Sequence, residues 1–180
     1  MFAIISSPAS TLPLAVPEAI RQSAEASPIS SFYLPPTRIV WKSEAGVKNG
    51  ENLLKPKPGQ AVLSESVPPC TLTASTIEPA GILLDFGVEL QGSVELFTPI
   101  TPAKDPVRVR VRFGESVSEA MSDLGGKQNA ENDHAIRDQI ITLPWLGRIT
   151  VGSSGFRFVR IDAIDPAHAA ALSQVRAVLQ

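Results

Sequence analysis

Glu131-Asn-Asp-His-Ala-Ile-Arg-Asp138 gathers carboxylates, a histidine and an arginine within one short stretch. Asp133 beside His134, with Arg137 three positions further on, could hold the hydroxyl groups of a sugar or assist a proton transfer. The same charges could instead pair with one another in a structured loop or at a domain interface. That second use is favoured, because acid–base sets of this kind are common on protein surfaces. Glu115, directly after an arginine-bearing strand, is a further acid at a defined position, and pairing with a neighbouring Arg is its ordinary use. Trp145, in Leu143-Pro-Trp-Leu-Gly147, sits where a strand ends. It could stack on the apolar face of a sugar, or anchor the docking of a neighbouring domain, which is favoured because large aromatics are enriched at interfaces.

Other chemistries find less support. Asp133 and His134 are adjacent but His168 is far off in sequence, and no Asp-x-Asp-x-Asp-Gly loop is present, so no metal or cofactor is expected. Glycoside hydrolysis uses two carboxyl groups about 5–10 Å apart. The chain's 18 acids would always permit some such pair, so their abundance assigns no catalytic residue. Cys70, the only cysteine, lacks a nearby base in sequence and reads as structural. Gly152-Ser-Ser-Gly155 is not a nucleophile elbow and reads as a turn between two strands.

These residues need strands to position them. Val107, Val109, Val111 and Phe113 alternate with Arg108, Arg110 and Arg112, the period of a half-buried sheet face. Three cations on one face need acids on neighbouring strands, and Glu89, Glu95 or Asp162 could supply them. Further strands are expected at Thr37–Lys42, Gln60–Leu63, Ile82–Phe86, Glu89–Thr98, Asp138–Leu143, Arg148–Val151 and Phe156–Ile161. Gly92, inside one of them, predicts a bulge or a close backbone approach. Strands about every ten residues without long helices predict an all-β fold, an antiparallel β-sandwich or jelly roll. The expected organisation is an irregular arm over residues 1–35, the sandwich over 36–166, and a tail over 167–180 whose Ala-rich start suggests helix and whose end suggests strand. Within the arm, Pro17–Ala26 has helical character. Ser116–Leu124 could form a helical turn or two before Gly125-Gly126, and Lys55-Pro-Lys-Pro-Gly59 reads as a solvated loop.

Composition is that of an ordinary globular protein: 180 residues, 43% hydrophobic, 19% charged. A net charge of −2 gives no reason to expect nucleic acid or an anionic membrane as partner. No apolar run reaches the roughly 18 residues of a membrane span. The apolar start, Met1–Pro8, has no preceding Lys or Arg and is cut by prolines, so it makes a poor signal peptide and leaves the compartment open.

Five phrases run in order between Gly81 and Asp162: Ile82-Leu-Leu-Asp-Phe-Gly87, Val107-Arg-Val-Arg-Val-Arg-Phe-Gly-Glu-Ser116, Asn132-Asp-His-Ala-Ile-Arg-Asp138, Leu143-Pro-Trp-Leu-Gly147 and Gly155-Phe-Arg-Phe-Val-Arg-Ile-Asp162. In that order and spacing the chain resembles the β-sandwich domain that precedes the catalytic barrel in bacterial α-L-rhamnosidase-like, six-hairpin glycosidases. Phe32–Trp41 and Glu51–Pro56 are similar to that family's upstream segment, and Phe156–Ile161 also resembles the closing strand of galactose-binding-like jelly rolls. The resemblance implies a barrel beginning near Gln180 that would carry the general acid and base, so no catalytic residue transfers to this chain. It implies a noncatalytic accessory domain of a glycoside hydrolase. The partner would be a helical catalytic barrel, in the same polypeptide or supplied in trans. A free-standing carbohydrate-binding module is the other reading. Glu115, Asp133, His134, Arg137 and Trp145 are the ligand or interface candidates.

Overall fold

The structure, a computed structural model, describes residues 18–27, 31–100, 106–123, 137–166 and 168–179. Two compact units are present, residues 1–30 and 31–180. In the first, α1 (Glu18–Glu25) forms where the sequence placed helical character, and Gln22 Nε2 donates to Glu18 Oε1 one turn back at 2.8 Å.

The second unit is an antiparallel β-sandwich. Its strands are β1 (Phe32–Leu34), β2 (Arg38–Lys42), β3 (Val47–Lys48), β4 (Cys70–Thr73), β5 (Ala80–Thr98), β6 (Val107–Gly114), β7 (Asp138–Leu143), β8 (Gly147–Ala163), β9 (Ala169–Leu172) and β10 (Gln174–Leu179). One sheet runs β1-β10-β5-β8-β6-β7, with β2 also paired to β5; the other runs β3-β4-β9. The core lies between them. Ile82, Leu84 and Leu96 of β5, Val109, Val111 and Phe113 of β6, and Val159 and Ile161 of β8 meet Cys70 and Leu72 of β4 and Ala170 and Leu172 of β9. Phe156 packs edge-to-face on both Phe86 and Phe113, at centroid separations of 5.6 and 5.2 Å. Burial pushes the Cys70 thiol up to about 12, so it is inert at neutral pH.

The alternation read on β6 holds: its valines and Phe113 are buried in the core, and its arginines point to the opposite face. That outer face is covered by α2 (Val117–Met121), whose Ala120 and Met121 pack on Leu83, Phe158 and Trp41. Trp41 therefore belongs to this second, smaller cluster and not to the main core. Ser116 caps α2, its Oγ accepting from the Glu119 N–H at 3.2 Å, and Glu119 reaches back to accept from the Glu115 N–H at 2.7 Å.

Several sequence expectations change. The two strands expected at 82–86 and 89–98 are one, β5, interrupted by a bulge in which the register slips between Asp85 and Leu90. The expected turn at 152–155 is likewise internal to β8. Gly152, with φ 78°, bends the strand there, and a Cβ would lie 2.6 Å from the Phe113 ring. Gly92 shows both features expected of it: the register slips between Gly92 and Val94, and a Cβ there would meet the Val178 carbonyl at 2.1 Å. No strand forms at 60–63.

Both expected boundaries move. Phe32–Leu34, placed in the arm, is an edge strand on β10. The 167–180 segment, expected as a tail, supplies β9 and β10, and β10 lies between β1 and β5 with Val175 and Ala177 in the core. Burying Val175 and Ala177 outweighs the helix preference of the alanines. The Lys55–Gly59 loop is not freely solvated either. Lys57 Nζ donates to the Ser173 carbonyl at 2.6 Å, while Gln174 accepts from the Gly59 N–H at 3.1 Å and donates to the Lys57 carbonyl at 3.1 Å.

Candidate functional site

The polar side chains of the outer face form two buried ionic hubs. At the first, Asp85 is fully buried and accepts from Arg157 Nε (2.8 Å) and Nη2 (3.1 Å), Arg38 Nε (2.8 Å) and the Gly87 N–H (2.7 Å). The Arg157 guanidinium first, then the Gly87 N–H and Arg38, hold its carboxyl well below the usual carboxylate range, against the opposing effect of burial. At the second hub, Asp162 accepts from Arg112 Nη2 and Arg160 Nε, both at 2.9 Å, and Arg112 also reaches Asp123 at 3.1 Å. The Arg160 guanidinium covers the Trp41 ring at 4.7 Å. Gly81 faces Asp162 across the strands, where a Cβ would lie 2.0 Å from the carboxylate, so only glycine leaves room for this hub.

The arginine ladder is thus answered by acids, as its charge demanded. Arg108 pairs with Asp165, Arg110 with Asp138 and Asp123, and Arg112 with Asp162. Of the three acids the sequence offered, Asp162 serves this role, whereas Glu95 pairs with Arg176 (2.7 Å) and Arg148 (3.0 Å) at the other end of β5. Asp85 escaped the sequence reading. Its signal was a carboxylate inside an apolar strand, which can be buried only against cations.

Asp85 gives a pH dependence of definite sign. Its folded pKa is depressed, so its contribution is fully present above the unfolded value of about 3.9 and is lost as pH falls through the folded value. The urea midpoint should therefore fall steeply below about pH 4. Asp165, depressed by Arg108, contributes in the same direction. Asp85→Asn should be less stable at neutral pH, by on the order of 3 kcal/mol, and should show a shallower loss in acid. Parallel midpoint-versus-pH curves for variant and wild type would contradict this.

Of the five candidate residues, Glu115, Arg137 and Trp145 are described; the Glu119 carboxylate takes both the Glu115 N–H and the Arg137 guanidinium, and Trp145 stands apart from them. Asp133 and His134 lie outside the described residues. Arg137 is buried and ion-paired with Glu119 of α2, and its carbonyl accepts from the Phe113 N–H at 2.8 Å. Its described contacts are those of a structural residue. Glu115 is exposed at the end of β6, and among the described residues its carboxylate has no hydrogen-bond or ion-pair partner. Trp145 is 60% exposed in the β7–β8 turn, beside the Thr98 Oγ1 to Pro144 carbonyl bond. Because Val107 pairs with Leu143 and Arg112 with Asp138, Trp145 and Glu115 stand at opposite ends of β6. That is roughly 25 Å by strand geometry. Leu179, on β10, pairs with Gly92, which in turn pairs with Ser154. The end of β10 is therefore on the Glu115 side of the sheet and away from Trp145.

One more group of residues meets near Glu115. Gln91 on β5 pairs directly with Gly155 on β8. The position a Gly155 Cβ would take lies 3.1 Å from Glu115 Oε1 and 3.6 Å from Gln91 Oε1. Two side-chain oxygens, one from β5 and one from the residue following β6, therefore lie close to one residue that has no side chain. Among the described residues, no three His, Cys, Asp or Glu side chains gather as a metal ion would require.

No protein-family model and no curated protein matches the chain. Solved structures do. A rhamnosidase from Klebsiella oxytoca with rhamnose bound matches with a TM-score of 0.54 at 16% identity, over 90% of this chain and 32% of that one. A GH78 family rhamnosidase of Bacillus sp. GL1 matches with a TM-score of 0.40 at 16% identity, over 71% of this chain and 12% of that one. A family 32 carbohydrate-binding module from C. perfringens NanJ, in complex with galactose, matches with a TM-score of 0.47 at 10% identity, over 82% and 98%. The chain thus spans about a third of the length of the Klebsiella protein, and what it shares with it is a β-sandwich fold.

Proposed function

We propose that this chain is a noncatalytic β-sandwich module of an α-L-rhamnosidase-type glycoside hydrolase. It would dock on, or support, a helical catalytic barrel carried in the same polypeptide or supplied in trans. The observation that supports this most is the extent of the match: nine-tenths of the chain corresponds to about a third of a rhamnosidase, so the sandwich accounts for one part of such an enzyme and not for the whole. The phrases that carried the sequence resemblance agree with an accessory role. Within them, Asp85 and Asp162 are held by internal arginines and Arg137 pairs with Glu119, which supports a structural use of these three residues.

The docking face in this reading includes Trp145, with Leu146 half-buried beside it. A barrel following the sandwich in one polypeptide would fold back along the sheet to reach that end, whereas a barrel supplied in trans meets no such constraint.

The purified chain should release no nitrophenol from an aryl α-L-rhamnoside. In analytical ultracentrifugation it should sediment with a rhamnosidase barrel that lacks its own sandwich. Trp145→Ala should weaken that association by about 2 kcal/mol, the usual loss for a buried aromatic anchor. Sustained turnover by the chain alone, abolished on mutating Glu115 or Asp133, would refute the noncatalytic assignment. A wild type that stays monomeric and ignores the barrel would refute the docking.

A further inference from the structure

Glycine inside a strand weakens it, and marks either a steric need or a place where something approaches closely. Other strand glycines of this sandwich show the steric need. At Gly81 a Cβ would meet Asp162 at 2.0 Å, and at Gly114 it would meet the Ala120 nitrogen of α2 at 2.5 Å. Gly155 differs. Its φ is not positive, and nothing lies nearer its missing Cβ than the tip of the flexible Glu115 side chain at 3.1 Å, followed by the tip of Gln91 at 3.6 Å. The backbone does not require glycine there, and a methyl group would press only on the flexible Glu115 tip, so Gly155 forms a shallow notch in the outer face lined by these two side-chain tips.

The walls of the notch define what could enter it. Glu115 Oε1, from just past the end of β6, and Gln91 Oε1, on β5, both lie close to the position of the missing Gly155 Cβ, and both residues are exposed. Arg157, two residues along the same face of β8, holds its guanidinium on Asp85, so its charge is already answered. Val88 is 55% exposed on the β5 bulge, in the segment between Asp85 and Leu90, which pair with Phe158 and Phe156 of β8, so an apolar side chain is available on the same stretch of sheet. Two convergent acceptors are too few to coordinate a hard cation, which takes six or more oxygens. They suit a neutral group with adjacent hydroxyl donors, and the neighbouring methyl groups suit the C–H face of such a ring.

We infer that the Gly155 notch is a carbohydrate subsite, in which two neighbouring hydroxyls of a pyranoside donate to Glu115 and Gln91. The inference rests on the glycoside-hydrolase reading above and gives Glu115 a binding role that the sequence left open between ligand and interface.

The test uses the full chain, methyl α-L-rhamnoside and methyl α-D-galactoside as probes, and amide NMR titration. Either sugar should shift the Gly155 amide and the Gln91 side-chain amide. Gly155→Ala, which fills the notch while leaving an ordinary backbone, should weaken binding at least about tenfold. Glu115→Gln and Gln91→Ala should each weaken it with no change in the thermal midpoint. Saturable shifts that map elsewhere, or survive Gly155→Ala unchanged, would overturn the notch while leaving a carbohydrate-binding module intact. Absence of any shift with both sugars would also overturn it, without touching the accessory-domain reading, which the barrel sedimentation experiment decides separately.

Discussion

Val109→Asp should leave the chain without a cooperative thermal transition. Val109 is fully buried on β6, opposite Ile141 of β7 on one side and Ala163 of β8 on the other. An aspartate there would place an unpaired carboxylate in an apolar core, because every arginine of β6 projects to the other face. The expected cost is on the order of 4 kcal/mol or more, a large part of the ~5–15 kcal/mol by which a domain is folded. Arg108→Ala is the control from the opposite face of the same strand. Its side chain is 53% exposed and pairs with Asp165 through solvent-screened contact, so its removal should move the midpoint far less than Val109→Asp does. Circular dichroism melts of the two variants check the assignment, and an unchanged midpoint for Val109→Asp would refute the core face of β6.

The second large effect is expected at Asp162. Its carboxylate and the Arg112 guanidinium are 3% and 6% exposed, so removing the acid strands a buried cation. Asp162→Ala should therefore destabilise by about 3–5 kcal/mol, the range for breaking a buried pair from one side. Asp123 also reaches Arg112, but it is 71% exposed and compensates through solvent-screened contact only. Replacing both partners, Asp162→Ala with Arg112→Met, should recover part of the loss, since the most deeply buried cation is then gone and only Arg160, 13% exposed and covering the Trp41 ring, is left without its acid. Urea denaturation of the two single variants and the double variant measures this. Simple additivity of the two losses would show that the pair is not a coupled unit.

Both predictions follow from where the residues of one short strand point, and that much was legible beforehand. Alternation of Val and Arg fixes which side chains share a face, because successive strand residues project to opposite sides whatever the rest of the chain does. The charge of the ladder likewise required nearby acids, and Asp162 was among those offered. The candidate site was less legible. Glu115 and Trp145 stood out by residue type, yet the type alone did not reveal that β6 separates them, or that Arg137 is already taken by Glu119. Gln91 and Gly155 carry no conspicuous chemistry. They gain a role only because pairing brings strands 64 residues apart side by side.

What the sequence determined by itself was therefore local: an all-β sandwich, the two faces of β6, and the close backbone approach at Gly92. Each of these rests on sterics or periodicity within a few residues. Only the tertiary structure decided that the last residues form a central strand, that Gly87 and Gly152 bend strands without ending them, and that Asp85 is a hub for two arginines. These depend on register across contacts such as Arg176 with Glu95, 81 residues apart, and Arg157 with Asp85, 72 apart. Register is set by the summed burial of whole strands, since a slip of one residue would turn every side chain to the wrong face. That sum exists only once the sheets are assembled, so no single segment of the sequence displays it.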